Sequence, residues 1–198
     1  MRKPGLESLM RPGFSRCTAL AVVLVFGVVP GANAVEYSDV NATASTLSFT
    51  YKQMGSKGYG TFSRFVGNLD FDTDRPEAAT ARLTIDLDSI DAGSNDANEE
   101  LRKPAWFDTA TYPEGTFEST RVKDLGNNRY LISGNLTLRG LTREVEVPVL
   151  LKAENAIGIF EGELTLKRDD FKMGEGEWAD SFVSNEIKIR FRMVAPQR

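Results

Sequence analysis

From residue 35 onward, apolar and polar positions alternate with a period of two over most of the chain. In NLTLRGLTREVEVPV, from Asn135 to Val149, two alternating runs flank a short Arg-Gly-Leu-Thr-Arg centre, which predicts two strands folded about a turn. Leu47, Phe49 and Tyr51 alternate with Ser48, Thr50 and Lys52, and Leu83, Ile85 and Leu87 alternate with Thr84, Asp86 and Asp88. Near the C-terminus Val183, Ile187, Ile189, Phe191 and Met193 share one face, while Glu186, Lys188, Arg190 and Arg192 share the other. Alternation with one polar side is the pattern of antiparallel strands wetted on one face.

Further strands are expected at 60–71, 115–122, 129–138 and 157–166. They are separated by the turn signals Asp74-Arg75-Pro76, Gly126-Asn127-Asn128, Arg139-Gly140 and Glu154-Asn155. The alternation in GTFSRFVGNLDF shifts between Phe62 and Phe65, which predicts a bulge or kink. Pro148 removes a ladder donor and suits an edge or a strained position. One segment breaks the period. SNDANEELRKPAWFD, from Ser94 to Asp108, reads as a short helix capped by Ser94 or Asn95 and ended before Pro104. The expected architecture is one all-β domain of about eight antiparallel strands with a short helical insertion.

Eight such strands close as a barrel or stack as a sandwich. The runs at 60–71, 129–138, 143–153 and 183–193 favour a tall barrel, since sandwich strands average about 5–6 residues. The inward candidates are Phe49, Phe62, Phe65, Leu69, Phe71, Leu83, Ile85, Phe117, Leu136, Val147, Leu164, Ile187, Ile189 and Phe191. Trp106 and Phe107, after the helix, either line or cover a mouth or plug the core. Gly60, Gly67 and Gly162 fall within the same strands, where glycine leaves room near the backbone or marks a bend. Alternation alone leaves a packed core and a ligand cavity both open.

The first 34 residues read differently. Arg2, Lys3, Arg11 and Arg16 precede thirteen uncharged residues from Cys17 to Val29, followed by Ala32-Asn33-Ala34. A basic start, a short apolar run and an A-x-A end are the parts of a secretory signal peptide, expected to be cleaved after Ala34. The expected domain is then 35–198, secreted or periplasmic. Without the leader, 20 basic residues stand against 27 acids, a net charge of −7, whereas the whole chain carries −4. An acidic surface argues against nucleic acid as a partner.

The leader takes the only cysteine with it, and the chain has no histidine. That removes Ser-His-Asp and Cys-His catalysis and His-ligated metals. Acids two apart, as Glu175 and Glu177, read as solvated loop residues, and Asp88, Asp91 and Asp96 do not have the spacing of a calcium-binding EF-hand loop. No catalytic residue, metal site or cofactor is expected.

Five segments carry a resemblance: LSFTYKQMGSKGYGTFSRFVGNLDFD (47–72), LTIDLDSIDAG (83–93), LRKPAWFDTATYPEGTFEST (101–120), YLISGNLTLRGLTREVEVPV (130–149) and LKRDDFKMG (166–174). In their order of SID-x-G, WFD with YP and F-x-S, G-x-LT-x-RG-x-T and R-x-DF, the chain resembles the YceI-like family. It departs from that pattern at Lys52-Gln53, where relatives often carry a histidine, and at Lys172, where they often carry a glycine. The resemblance implies a lipocalin-like barrel whose interior, lined by the inward residues above with Trp106 and Phe107, binds an isoprenoid tail such as a quinone side chain or polyprenyl phosphate. It implies contact with the membrane only transiently, for ligand exchange, and leaves a homodimer open. On this reading Leu136, Leu138, Val145, Val147 and Val149 are wall, and Arg139 and Arg143 are rim residues that meet an anionic head or are merely solvated. The rival expectation is a periplasmic interaction or stress-response module with a filled barrel and no lipid.

Overall fold

A computed structural model of the protein describes residues 34–175 and 182–198. The leader expected at the N-terminus lies outside the described residues except for Ala34, as does Glu177.

The strands are β1 (Glu36–Ser38), β2 (Thr46–Gln53), β3 (Ser56–Phe62), β4 (Phe65–Asp72), β5 (Thr80–Asp86), β6 (Ile90–Asp91), β7 (Glu114–Asp124), β8 (Arg129–Leu138), β9 (Leu141–Glu154), β10 (Ile157–Lys167) and β11 (Glu186–Pro196). Among the described residues the single α-helix is α1 (Asn95–Arg102), between β6 and β7. All pairings are antiparallel, in the order β1-β4-β5-β7-β8-β9-β10-β11-β2-β3-β6. The sheet curls into a half-barrel. Its seam is stitched where Tyr37 on β1 bridges Gln197 and where the Asn41 N–H donates to Val194 O at 2.8 Å.

The count of eleven corrects the expected eight. The long runs are interrupted: a single-turn 3-10 helix at Ala42–Ala44 separates β1 from β2, and another at Leu87–Ser89 separates β5 from β6. Between β3 and β4 the break falls at Ser63-Arg64, where the shifted alternation predicts a kink. Val183 is a second correction. β11 begins at Glu186, and Val183 instead makes an isolated bridge to Gln53.

Pro148 explains where the curl opens. It lies within β9, opposite Leu131 of β8. On the other side the β9–β10 ladder ends at Gly162 and Val149, so residues 141–148 have no β10 partner. A residue without an N–H cannot extend that ladder, and the two strands part there.

Alternation places the connections at two ends. One end carries the β4–β5, β7–β8 and β9–β10 turns and is sealed by aromatic rings. Phe71, 1% exposed, meets Tyr130 and Phe160 edge-on with centroids 5.0 and 5.2 Å away, and Tyr37 meets Phe160 at 5.6 Å. These T-shaped contacts bury large apolar area in favourable ring geometry. Burial pushes the Tyr37 and Tyr130 phenols above their ordinary pKa, so both stay neutral.

The other end carries the β2–β3 and β8–β9 turns, α1, and the segment between β10 and β11. α1 forms where Ser94 Oγ accepts from the Ala97 N–H at 3.2 Å, and it stops at Lys103 before Pro104. It is held to the sheet at its margins. The Asn98 side chain accepts from the Ala92 N–H at 2.7 Å, and Arg102 donates to Asp88 O at 2.8 Å.

Candidate functional site

Enclosed by the curl is a cavity of about 620 Å³, within the range of small-molecule sites. Its wall shows why it is hollow. Phe117, Leu164, Ile187, Ile189 and Phe191 point inward by alternation yet remain only half-buried, because they face a void and not one another. A filled core would bury them fully.

Fourteen of the sixteen sequence-predicted residues lie on this wall. β2 and β3 supply Phe49 and Phe62. β4 and β5 supply Leu69, Leu83 and Ile85, and the central strands supply Phe117, Leu136 and Val147. Leu164 comes from β10, and Ile187, Ile189 and Phe191 from β11. Trp106 and Phe107 also line it at the helix end, where Phe107 meets Phe62 edge-on at 6.0 Å. Leu138, Val145 and Val149 complete the expected stave.

Phe65 and Phe71 are corrections. Phe71 is spent in the aromatic seal at the closed end. Phe65, immediately after the Ser63-Arg64 break, is buried with the core but borders a separate outer groove with Ala42, Thr43 and Glu114.

Glycines set the bore. Phe49 is paired directly with Gly60, Tyr51 with Gly58, and Phe191 with Gly162. In each pair a Cβ built on the glycine would overlap the partner's ring. The rings therefore lie over bare backbone on the neighbouring strand. They line the bore without filling it.

Several wall residues lie outside the strands. Ala97 and Leu101 of α1 face the cavity, and Met173 and Val183 come from the segment between β10 and β11; of these four only Val183 carried an alternating signal. The exposed Gln53, Ser94 and Asp96 border the cavity at this same end, which opens there as a mouth; exposed Asn68 and Arg82 border it a second time in the middle of β4 and β5.

Of the charged residues that line the cavity, Arg82, Asp96, Glu100 and Arg168, only Arg168 is buried, at 2% exposure. Its guanidinium donates to Met173 O at 2.7 Å, Gly174 O at 3.0 Å and Val183 O at 3.1 Å, and sits 6.0 Å from the centroid of the Trp106 ring. Carbonyls from both sides of the loop converge on it, so it ties that loop together. The R-x-DF signal was visible in the sequence; its burial was not.

The rim arginines resolve similarly. Arg139 donates to Lys172 O and, at 2.8 Å, to Pro104 O, joining the β8–β9 turn to its neighbours. Arg143 donates to Thr142 O at 2.9 Å. Lys172 has φ +53°, the left-handed conformation that favours glycine. Among the described residues no cluster of three or more Cys, Asp or Glu side chains is arranged to hold a metal.

The YceI-like domain matches residues 39–195. A UPF0312 protein of Pectobacterium atrosepticum is 32% identical over 163 residues, covering 78% of this chain and 84% of that protein. Of solved structures, BcnA of Burkholderia cenocepacia superposes with a TM-score of 0.77 at 37% identity, covering 79% of this chain and 99% of its own. A polyisoprenoid binding domain from Saccharophagus degradans shares the fold, with a TM-score of 0.64 at 22% identity and coverage of 81% and 98%. The chain belongs to the YceI-like family.

Proposed function

We propose that the protein binds one isoprenoid-like amphiphile, a quinone or polyprenyl chain, tail-first in the cavity and sequesters or carries it without catalysis. The observation that carries this reading is the void itself. It is about 620 Å³, walled by hydrocarbon, sealed by Phe71, Tyr130 and Phe160 at one end and bordered by polar residues at the other. A filled interaction module has no use for such a space. The likeness in fold to a polyisoprenoid binding domain agrees with it.

The energetics are sufficient without a single hydrogen bond. Burying a CH₂ contributes about 0.8 kcal/mol, so a five-carbon isoprene unit contributes about 3–4 kcal/mol gross. A few units offset the loss of chain freedom and of translation. Trp106 and Phe107 would contact the ligand near the mouth, and Phe49, Phe117, Leu164 and Phe191 would contact the tail deeper in.

The leader assigns this activity to the periplasm or the exterior, after cleavage behind Ala34. That compartment separates two membranes or a membrane and the medium, where an insoluble lipid needs a shielded path. N-terminal sequencing of secreted protein tests the leader, and a mature start at Val35 is expected.

The direct test of binding is titration with geranylgeraniol, an isoprenoid alcohol, followed by quenching of Trp106 fluorescence in a Trp178→Phe background, since the chain carries these two tryptophans. Saturation at one ligand per chain supports the proposal; no saturable change and no retained lipid would refute it.

A further inference from the structure

We infer that the β2–β3 hairpin is a docking element for an anionic phospholipid surface, placing the cavity mouth against the bilayer; this rests on the cavity being a lipid site. Three local features of the hairpin oppose folding stability. At its tip Met54 has φ +49° and is 76% exposed, a backbone conformation and an environment that both disfavour a large apolar side chain. Lys52 and Lys57 are directly paired across the strands, where like charges repel. Tyr59, on the same outer face, is 66% exposed. Local rules broken together mark functional positions.

The features also fit one partner. The ion pairs of the described residues leave out both Lys52 and Lys57. On a chain of net charge −4 they form a local basic spot around an apolar tip. An apolar point flanked by lysines and an aromatic is the composition that seats in the headgroup region of an anionic membrane. The Met54 N–H donates to Phe182 O at 2.9 Å, and Phe182, 47% exposed, adds apolar surface beside the tip. The hairpin is continuous with the mouth, since Tyr51 and Gln53 on its inner face line the cavity. The acids of this end, Asp96, Glu99 and Glu100 on α1, Asp169 and Asp170 after β10 and Glu186 at the start of β11, belong to other segments. Glu186 lies level with Lys52 in the β2–β11 register, which leaves Lys57 and the tip as the more basic side of the hairpin. A lipid leaving the bilayer at the tip thus meets the cavity wall directly.

The test is co-sedimentation of the purified protein with phosphatidylglycerol vesicles and with phosphatidylcholine vesicles. Partitioning onto the anionic vesicles is expected to exceed that onto the neutral ones. The pair Lys52→Gln and Lys57→Gln is expected to weaken it on the order of 10- to 30-fold. Met54→Asn, which suits the left-handed turn, is expected to raise the melting temperature while lowering partitioning severalfold. Uptake of geranylgeraniol added from ethanol reads the cavity alone and is expected to be unchanged in both the double lysine variant and Met54→Asn. Equal partitioning of wild type and variants, or no preference for the anionic vesicles, overturns the docking element and leaves the cavity reading standing. Failed uptake by the wild type refutes the cavity reading whatever the vesicles show.

Discussion

The ring of Phe191 leans across the neighbouring strand onto Gly162, its direct partner in the β10–β11 ladder. The same relation holds between Phe49 and Gly60. Hollowness in this fold is therefore a property of pairs. A large residue on one strand and an absent side chain on the next leave the centre empty.

Gly162→Ala tests that relation. The added methyl would overlap the Phe191 ring and approach Pro148 O at 2.9 Å, so the ring must swing into the bore. Crowding of this kind costs about 1–3 kcal/mol. Thermal melting should show that loss, and isoprenoid binding should weaken by a larger factor than Gly158→Ala produces at the sealed end, where the crowded ring is Tyr37.

Phe191→Arg and Lys188→Glu are three residues apart on opposite faces of β11. Phe191 faces the cavity, whereas Lys188 is exposed and meets Glu163 at 3.5 Å. A buried unpaired guanidinium is incompatible with a hydrocarbon site. Phe191→Arg should abolish lipid uptake and Lys188→Glu should leave it intact, as read from the lipid content of each purified variant. Equal contents would contradict the assigned inward face.

Arg139 serves as a clasp between three segments at the mouth, through Lys172 O and Pro104 O. Arg139→Ala should lower stability by about 1–3 kcal/mol and speed hydrogen exchange of the amides at 103–108 and 168–174. Affinity for an anionic isoprenoid should match that for the alcohol in wild type and variant alike. A selective loss for the anion would return Arg139 to the role of headgroup contact.

Much of this was legible in the sequence. The bounds of β8 and β10 match the expected strands almost to the residue; in most of β8 one face meets the interior and the other meets water, whereas in β10 adjacent Ile159 and Phe160 are both buried. The break between Phe62 and Phe65 was marked by a shift in the same pattern. Alternation could not show which inward residues meet a void. Phe71 and Phe191 look alike in sequence; one is wedged between Tyr130 and Phe160, the other lies over Gly162. Pairing register decides between them. Arg168 was hidden for another reason, since an arginine reads as surface until loop carbonyls surround it.

Stability should be insensitive to pH between about 6 and 8, because no histidine titrates there. Below that, three carboxylates matter. Backbone N–H donation from Asp74 and the Arg75 side chain hold Asp72 below its ordinary pKa, Arg64 does the same for Asp86, and Arg190 for Glu163. A depressed folded-state pKa contributes stability above the unfolded value and loses it as pH falls through the folded one. Denaturant midpoints should hold above about pH 5 and decline progressively below it, as unfolded carboxylates with pKa values of about 4 take up protons. The Arg64–Asp86 and Arg190–Glu163 pairs are solvent-exposed, whereas the Asp72 side chain is 15% exposed, so high salt should flatten the part of that decline due to the first two.

The central claim is that the curled sheet holds a lipid. Native mass spectrometry of protein purified without detergent from its own cells measures this most directly. The account predicts a one-to-one complex whose released ligand has the mass series of an isoprenoid chain. Protein at its bare polypeptide mass, which also fails to take up an isoprenoid offered in solution, would contradict it.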